Sequence, residues 1–317
     1  MASQATLELT AIGLWLWDRR SCTMRVHDDV PGCIVFLGLT NERGQFIPYG
    51  TGFCVLIAER TLGYPYVVTA LHVIDQIPGD VVSMRIKHHN EGFRSLAVEK
   101  SFFFGHPAHD PSKQYIDVAA AYLNDTQPND PITWVREEEF ATDAEIDLHN
   151  IGIGDEVVVP GLLLNHIGET RNIPVVRTGN IAAMRAEPVP TDFGFMDAYL
   201  VEIRSINGLS GSPAFLHMGV RPPLLKKAPL GSTKTHYLLG LMHGYYIVNG
   251  TSGEGSTGDP PKVRTTSSPP MTGDMNTGIA IAVPAQRILE TLYRQEIKEG
   301  RNRHADEFFS KAGARPA

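Results

Sequence analysis

The feature that most constrains this chain is a run of short apolar segments, each closed off by Gly, Pro, Asn or Asp. They are CIVFLGL (33–39), GFCVLIA (52–58), YVVTAL (66–71), YIDVAAAYL (115–123), DEVVVPGLLL (155–164), PVVRTGNIAAM (174–184), AYLVEI (198–203), SPAFL (212–216), YLLGLMHGYYIV (237–248) and TGIAIAV (277–283). Many are rich in Val, Ile, Tyr and Phe, whose side chains suit a half-buried pleated surface. None has the length and 3.6-residue period of a long helix, so the pattern predicts an all-β barrel or sandwich rather than βαβ units. One helix is expected at the end. In PAQRILETLYRQEIKEG (284–300), Ile288, Leu289, Leu292 and Tyr293 fall at helical spacing, with Pro284 near the start and Gly300 at the end.

The polar stretch 124–147 divides these segments into two groups. It predicts a connection between two lobes, at about 30–123 and 152–283, with an N-terminal extension (1–29), a closing helix (284–297) and a C-terminal tail (298–317). The loop 249–276, rich in Gly, Ser, Thr and Pro, reads as a mobile surface insertion without a core of its own. Near the N-terminus Leu7, Leu9 and Ala11 alternate with polar residues as in a core or edge strand. The short apolar run there follows no positive charge, which fits neither a signal peptide nor a membrane span, so a cytoplasmic location is expected. With a formal net charge of -7 the chain has no basic footprint, and Lys226, Lys227, Arg301 and Arg303 read as solvated surface. Neither nucleic acid nor membrane is an expected partner. Three cysteines, Cys22, Cys33 and Cys54, are too few and uneven for a disulfide framework.

Three segments carry candidate chemistry. In Y66-V-V-T-A-L-H72-V a histidine follows directly on a buried strand. In Y115-I-D117-V-A-A-A-Y-L one carboxylate lies inside a nearly apolar strand. In N207-G-L-S210-G-S-P213 a serine sits in a Gly-rich turn ahead of an apolar strand. Acyl transfer would use all three. A serine hydroxyl is a poor nucleophile and needs a base within about 2.6–3.2 Å. Imidazole, with an unperturbed pKa near ~6.5, suits that task. A carboxylate behind it fixes the tautomer and stabilises the imidazolium. Glycines beside Ser210 let the N–H groups of Gly208 and Ser210 converge as an oxyanion hole.

The order His, Asp, Ser and the texts T-A-x-H, D-V-A and G-x-S-G-S-P resemble the chymotrypsin/trypsin superfamily, and its intracellular and HtrA-like bacterial members above the digestive enzymes. GTGFCVLI resembles the strand before the family's histidine, and TGIAIAVPAQRILETL its last strand and closing helix, so the similarity covers roughly residues 30–295. The resemblance implies two antiparallel β-barrels with a C-terminal helix and a site in the cleft between them. It further implies a serine endopeptidase with His72, Asp117 and Ser210 as its triad, acting on protein or peptide substrates without metal or cofactor. Three departures stand out. Ser212 replaces a second glycine after the nucleophile. Leu209 stands where secreted relatives carry the acid that pairs with a newly cut N-terminus, so that activation is unavailable. Val73 replaces a disulfide cysteine, leaving Cys54 without the family partner. A PDZ-like domain after the peptidase region is not expected, since only about twenty residues follow the helix.

By the same resemblance the pocket for the residue before the cut is built from Ile203-Arg204-Ser205 and Met242-His243-Gly244-Tyr245. An inward Arg204 would select an acidic side chain through a bidentate contact, with His243 as a second donor. An outward Arg204 would leave a mixed or apolar pocket, and Tyr245 and Tyr246 read equally as barrel wall. Singly, His72 fits a satisfied histidine, Asp117 a carboxylate paired with Arg or capping a turn, and Ser210 a turn serine. Jointly, the rival to the peptidase is a catalytically inactive module that keeps the fold to bind a partner protein. An α/β-hydrolase is excluded, since its acid and histidine follow the serine. His88, His89, His106 and His109 lack cysteine or carboxylate companions at ligand spacing and are expected on the surface.

Overall fold

The computed structural model describes residues 26–27, 29–88, 92–124, 126, 130–204, 208–218, 236–248, 263–265 and 275–312. Cys22, the alternating N-terminal segment, Lys226, Lys227, His89, Ser205 and most of the 249–276 loop lie outside them.

Two antiparallel sheets dominate. In the first, β1 (Ile34–Thr40), β2 (Phe46–Glu59), β3 (Leu62–Thr69), β4 (Val81–Lys87), β5 (Phe93–Glu99), β6 (Phe104–Gly105) and β7 (Ala119–Tyr122) pair in the order β5-β4-β1-β2-β3-β7-β6. A two-residue strand, β8 (Val135–Arg136), adds in parallel to β2 through Val55 and Leu56. The second sheet holds β9 (Glu156–Gly161), β10 (Val175–Ala183), β13 (Tyr199–Glu202), β14 (Pro213–His217), β15 (His236–Val248) and β17 (Met275–Pro284), in the order β14-β9-β10-β13-β17-β15. Pairing of β14 with β15, from Pro213↔Leu241 to His217↔His236, joins the ends and closes a six-stranded barrel. Closure removes the unpaired edges an open sheet would expose. Among the described residues, the first sheet remains an open path from β5 to β6. A separate hairpin, β11 (Val189–Thr191) and β12 (Gly194–Met196), lies outside both sheets, and β16 (Val263–Thr265) pairs with β15 from within the long loop.

Each predicted apolar segment forms a strand except at two functional edges. The segment 66–71 ends as strand at Thr69, and α2 (Leu71–Gln76) follows; the four-residue α1 (Asp29–Gly32) precedes β1. The segment 115–123 is strand only from Ala119, so Asp117 stands in the turn before β7 and not inside a strand. The 124–147 connection holds β8 and leads into a short helix, α3 (Asp143–Leu148), whose N-cap Thr142 accepts from Glu145 N–H.

The C-terminal helix is two helices. α4 (Ala285–Leu292) stops at Tyr293, and α5 (Gln295–Ala312) continues through what the sequence presents as a tail. Gly300 therefore sits within α5 and does not end a helix. Arg301, expected on the surface, is buried: it donates to Glu59 Oε2 (2.6 Å), Tyr66 Oη (3.2 Å) and the Leu292 carbonyl (2.8 Å), while Tyr64 Oη–H donates to the Arg301 carbonyl (3.0 Å). These bonds fasten a mostly polar helix to β2 and β3, which its few apolar residues would not do alone. Cys33 and Cys54 are both buried, and the Cys33 thiol donates to the Val30 carbonyl (3.2 Å). Among the described residues, no helix is long and apolar enough to cross a membrane.

Candidate functional site

β3 ends at Thr69, and Ala70 starts α2, which places His72 on its first turn. Across the sheet, the turn before β7 brings Asp117 against it. Asp117 Oδ1 accepts the backbone N–H of His72 (2.9 Å) and Oδ2 meets His72 Nδ1 (2.6 Å). One carboxylate thus fixes both the main chain and the ring of the histidine.

The turn carrying Ser210 is shaped by glycines at positive φ, Gly208 at 100° and Gly211 at 79°. A Cβ at Gly211 would lie 2.1 Å from the Thr51 carbonyl oxygen, so only glycine fits there. Thr51, on β2, locks this turn to the first lobe: its N–H donates to the Ser210 carbonyl (2.9 Å) and its hydroxyl to the Gly208 carbonyl (2.7 Å). Its Oγ1 also accepts Leu162 N–H (2.9 Å). Ser212 is buried against Gly161, and its hydroxyl has no hydrogen-bond partner among the described residues. Ser210 Oγ–H donates to the carbonyl of His243 (2.9 Å). His72 Nε2, also buried, has no hydrogen-bond partner among the described residues. The serine and the imidazole therefore share a site without sharing a proton in this state.

His243 does not supply a second donor to a substrate pocket as expected. In the β15–β17 ladder the register slips between Met242 and Gly244, leaving His243 as the extra residue of a bulge. A bulge re-aims the side chain it carries. Here Nδ1 of His243 meets Asp117 Oδ2 at 2.5 Å. Asp117 is thereby flanked by two imidazoles. Burial pushes its carboxyl pKa up, but His72 and His243 outweigh this and hold it well below the usual carboxylate range. Burial and the Asp117 charge push the Tyr115 phenol and the Asp75 carboxyl up in turn.

The three side chains are almost closed off from solvent: His72 is 2% exposed, Asp117 0% and Ser210 1%. Phe193, at the tip of the β11–β12 hairpin, lies over them. Its ring stacks on Tyr115 (4.6 Å, 16°) and His72 (6.4 Å, 24°) and turns its plane to His243 (5.7 Å, 74°). Arg204 is exposed just past β13, while Ile203 beside it is buried, so the alternation of that strand carries the guanidinium outward. Tyr245 is buried as barrel wall.

His72, Asp117 and His243 also form a cluster whose ligand atoms stand close enough to take a metal ion. Their 2.5 and 2.6 Å contacts are hydrogen-bond lengths. Donors sharing one ion at about 2.0–2.2 Å stand farther apart. The arrangement as it stands is one of proton sharing. Of the other histidines, His106 is buried, contrary to its surface reading: its Nε2 meets Glu290 Oε2 (2.8 Å) and its Nδ1 accepts Ala108 N–H (3.0 Å), tying the loop before β7 to α4. Burial, only partly offset by Glu290, lowers its pKa. His88 pairs with Asp130, and His109 Nδ1 accepts Ile116 N–H (3.1 Å).

No protein-family model matches the chain, and no curated protein does. Among solved structures it is similar to the MamO protease domain of Magnetospirillum magneticum in its apo form, at 16% identity and a TM-score of 0.48, over 83% of this chain and 97% of that one.

Proposed function

We propose that this chain is a serine endopeptidase that hydrolyses peptide bonds of protein substrates through an acyl-enzyme intermediate. The observation that carries the reading is the His72–Asp117 pair. An ionised carboxylate only accepts hydrogen bonds, so His72 Nδ1 carries the ring hydrogen and Nε2 keeps a lone pair, as a general base requires. Ser210 lies beside it, on a turn whose backbone strain is borne by Gly208 and Gly211.

The reaction begins when Ser210 Oγ leaves the His243 carbonyl and hydrogen-bonds to His72 Nε2. Attack on the substrate carbonyl transfers the hydroxyl proton to Nε2. Asp117 stabilises the imidazolium that forms, and the Gly208 and Ser210 N–H groups receive the oxyanion. Collapse of the tetrahedral adduct breaks the C–N bond, and Nε2–H protonates the departing amine. Water, deprotonated by the same Nε2, then cleaves the ester and restores Ser210.

A second reading is favoured by one observation: Ser210 is bonded away from His72 while Phe193 covers the site, which also suits an inactive module that binds a partner protein. Labelling by a fluorophosphonate separates the two. Wild-type protein reacts and Ser210→Ala does not if the peptidase reading holds. Absence of labelling in folded wild-type protein favours the binding module, and equal labelling of both moves the nucleophile elsewhere.

A further inference from the structure

Residue 243 touches both ends of the proposed catalytic line. Its carbonyl accepts Ser210 Oγ–H (2.9 Å) and its ring nitrogen Nδ1 lies 2.5 Å from Asp117 Oδ2, the same oxygen that binds His72 Nδ1. The ring is 0% exposed, and it reaches the carboxylate only because the β15 bulge turns it inward. With Asp117 ionised, both facing nitrogens must carry hydrogen. Oδ2 then uses both of its lone pairs, one for each imidazole, and Oδ1 takes the His72 N–H. His243 Nε2 is left buried and without a hydrogen-bond partner among the described residues, so the polar contact of the ring goes to Asp117. A histidine kept only for packing would not have its donor on the most deeply buried carboxylate of the site.

We propose that His243 is a positioning residue of this centre, whose Nδ1–H fixes the Asp117 carboxylate behind His72. Without that donor, Asp117 loses one of the hydrogen bonds that hold its carboxylate, and what remains is the two groups of His72 that it is meant to orient and the neighbouring Tyr115 phenol. The proposal takes its rate measurement from the peptidase reading, and a spectroscopic measurement stands independently of it.

The test compares wild-type protein with His243→Leu and His243→Asn. Leucine fills similar volume without a donor, whereas the asparagine amide nitrogen is bonded to Cγ, as Nδ1 is, and restores an N–H at the same place. Proton NMR of 15N-labelled protein is expected to show two strongly downfield imidazole N–H signals in the wild type. His243→Leu should lose one and shift the other, and Asp117→Asn should lose both. Fluorophosphonate labelling should slow by about tenfold in His243→Leu, as expected when one hydrogen bond to a charged group is lost in the transition state, and His243→Asn should recover most of it. A single downfield signal in the wild type, unmoved by His243→Leu, overturns the proposal. So does a His243→Asn variant, folded by circular dichroism, that is as slow as His243→Leu, because ring packing would then explain the loss. If no variant reacts but the two signals behave as described, the peptidase reading falls and the positioning of Asp117 by His243 stands.

Discussion

At the scale of single residues, Asp117 decides most. It is fully buried yet ionised, because three N–H groups converge on its two oxygens. Asp117→Asn keeps the volume but puts an amide where two ring N–H groups need an acceptor. His72 must then turn its hydrogen to Nε2 and lose the lone pair that serves as base. Turnover is expected to fall by about 10⁴-fold with circular dichroism unchanged; a variant with near-normal turnover removes Asp117 from the mechanism. The same residue sets an acid sensitivity. Its folded carboxyl pKa lies below that of the unfolded chain, near about 3.9, so the stability it contributes is complete above that value and is lost as pH falls below it. Denaturant midpoints of the wild type should drop as pH falls from about 4 towards 2 more steeply than those of Asp117→Asn. Equal slopes would mean that the two imidazoles do not stabilise the anion.

At the scale of elements, the β11–β12 hairpin sets Phe193 against His72. Val189 and Met196 are buried at its base, Tyr246 Oη–H donates to the Pro190 carbonyl (3.2 Å), and Thr191 Oγ1 bonds across its tip to Gly194 O (2.7 Å) and Phe193 N (3.1 Å). The tip is thus held in shape while Phe193 lies over His72. On the proposed peptidase reading a substrate would have to displace that ring, and the fraction of molecules with it displaced would scale the apparent rate. Phe193→Ala should therefore raise the fluorophosphonate labelling rate severalfold while leaving the melting temperature nearly unchanged. An unchanged or slower rate would show that Phe193 is not the barrier. This hairpin was not legible in the sequence, because two three-residue strands carry no periodicity of their own. His72, Asp117 and Ser210 could be singled out in the sequence as a histidine after an apolar run, a carboxylate within one and a serine ahead of one, in an order with chemical meaning. His243 was legible as a site residue but not in its role. It lies in an apolar strand, and only the slip of β15 against β17 decides which way its ring points.

At the scale of the whole molecule, the two lobes share one apolar interior. A single cluster of buried side chains runs from Ile34 and Phe53 in the first sheet through Phe215 and Leu241 in the second to Ile288 and Leu292 on α4, while the closed barrel keeps its own core around Val159, Val201 and Leu239. The strands of the barrel could be anticipated from short apolar segments bounded by Gly, Pro, Asn and Asp, though not their order. The docking of α5 could not, because a helix with few apolar residues gives no face to read, and what holds it is a buried arginine. Removing that side chain as Arg301→Ala leaves Tyr66 and the Leu292 carbonyl without their donor and Glu59, itself partly exposed, without its partner. The cost is expected to be about 2–3 kcal/mol, below the range for a fully buried pair because Glu59 can regain water. Since α4 belongs to the shared interior and α5 grips β2 and β3, that loss should lower one common transition and not merely fray a helix. Urea unfolding followed by tryptophan fluorescence and by far-ultraviolet circular dichroism should give coincident curves in the wild type. In Arg301→Ala both should shift together to lower urea, with an unchanged slope. A variant in which helical signal is lost early while the fluorescence midpoint stays put would show that α5 is an appendage and that the two lobes are stable without it.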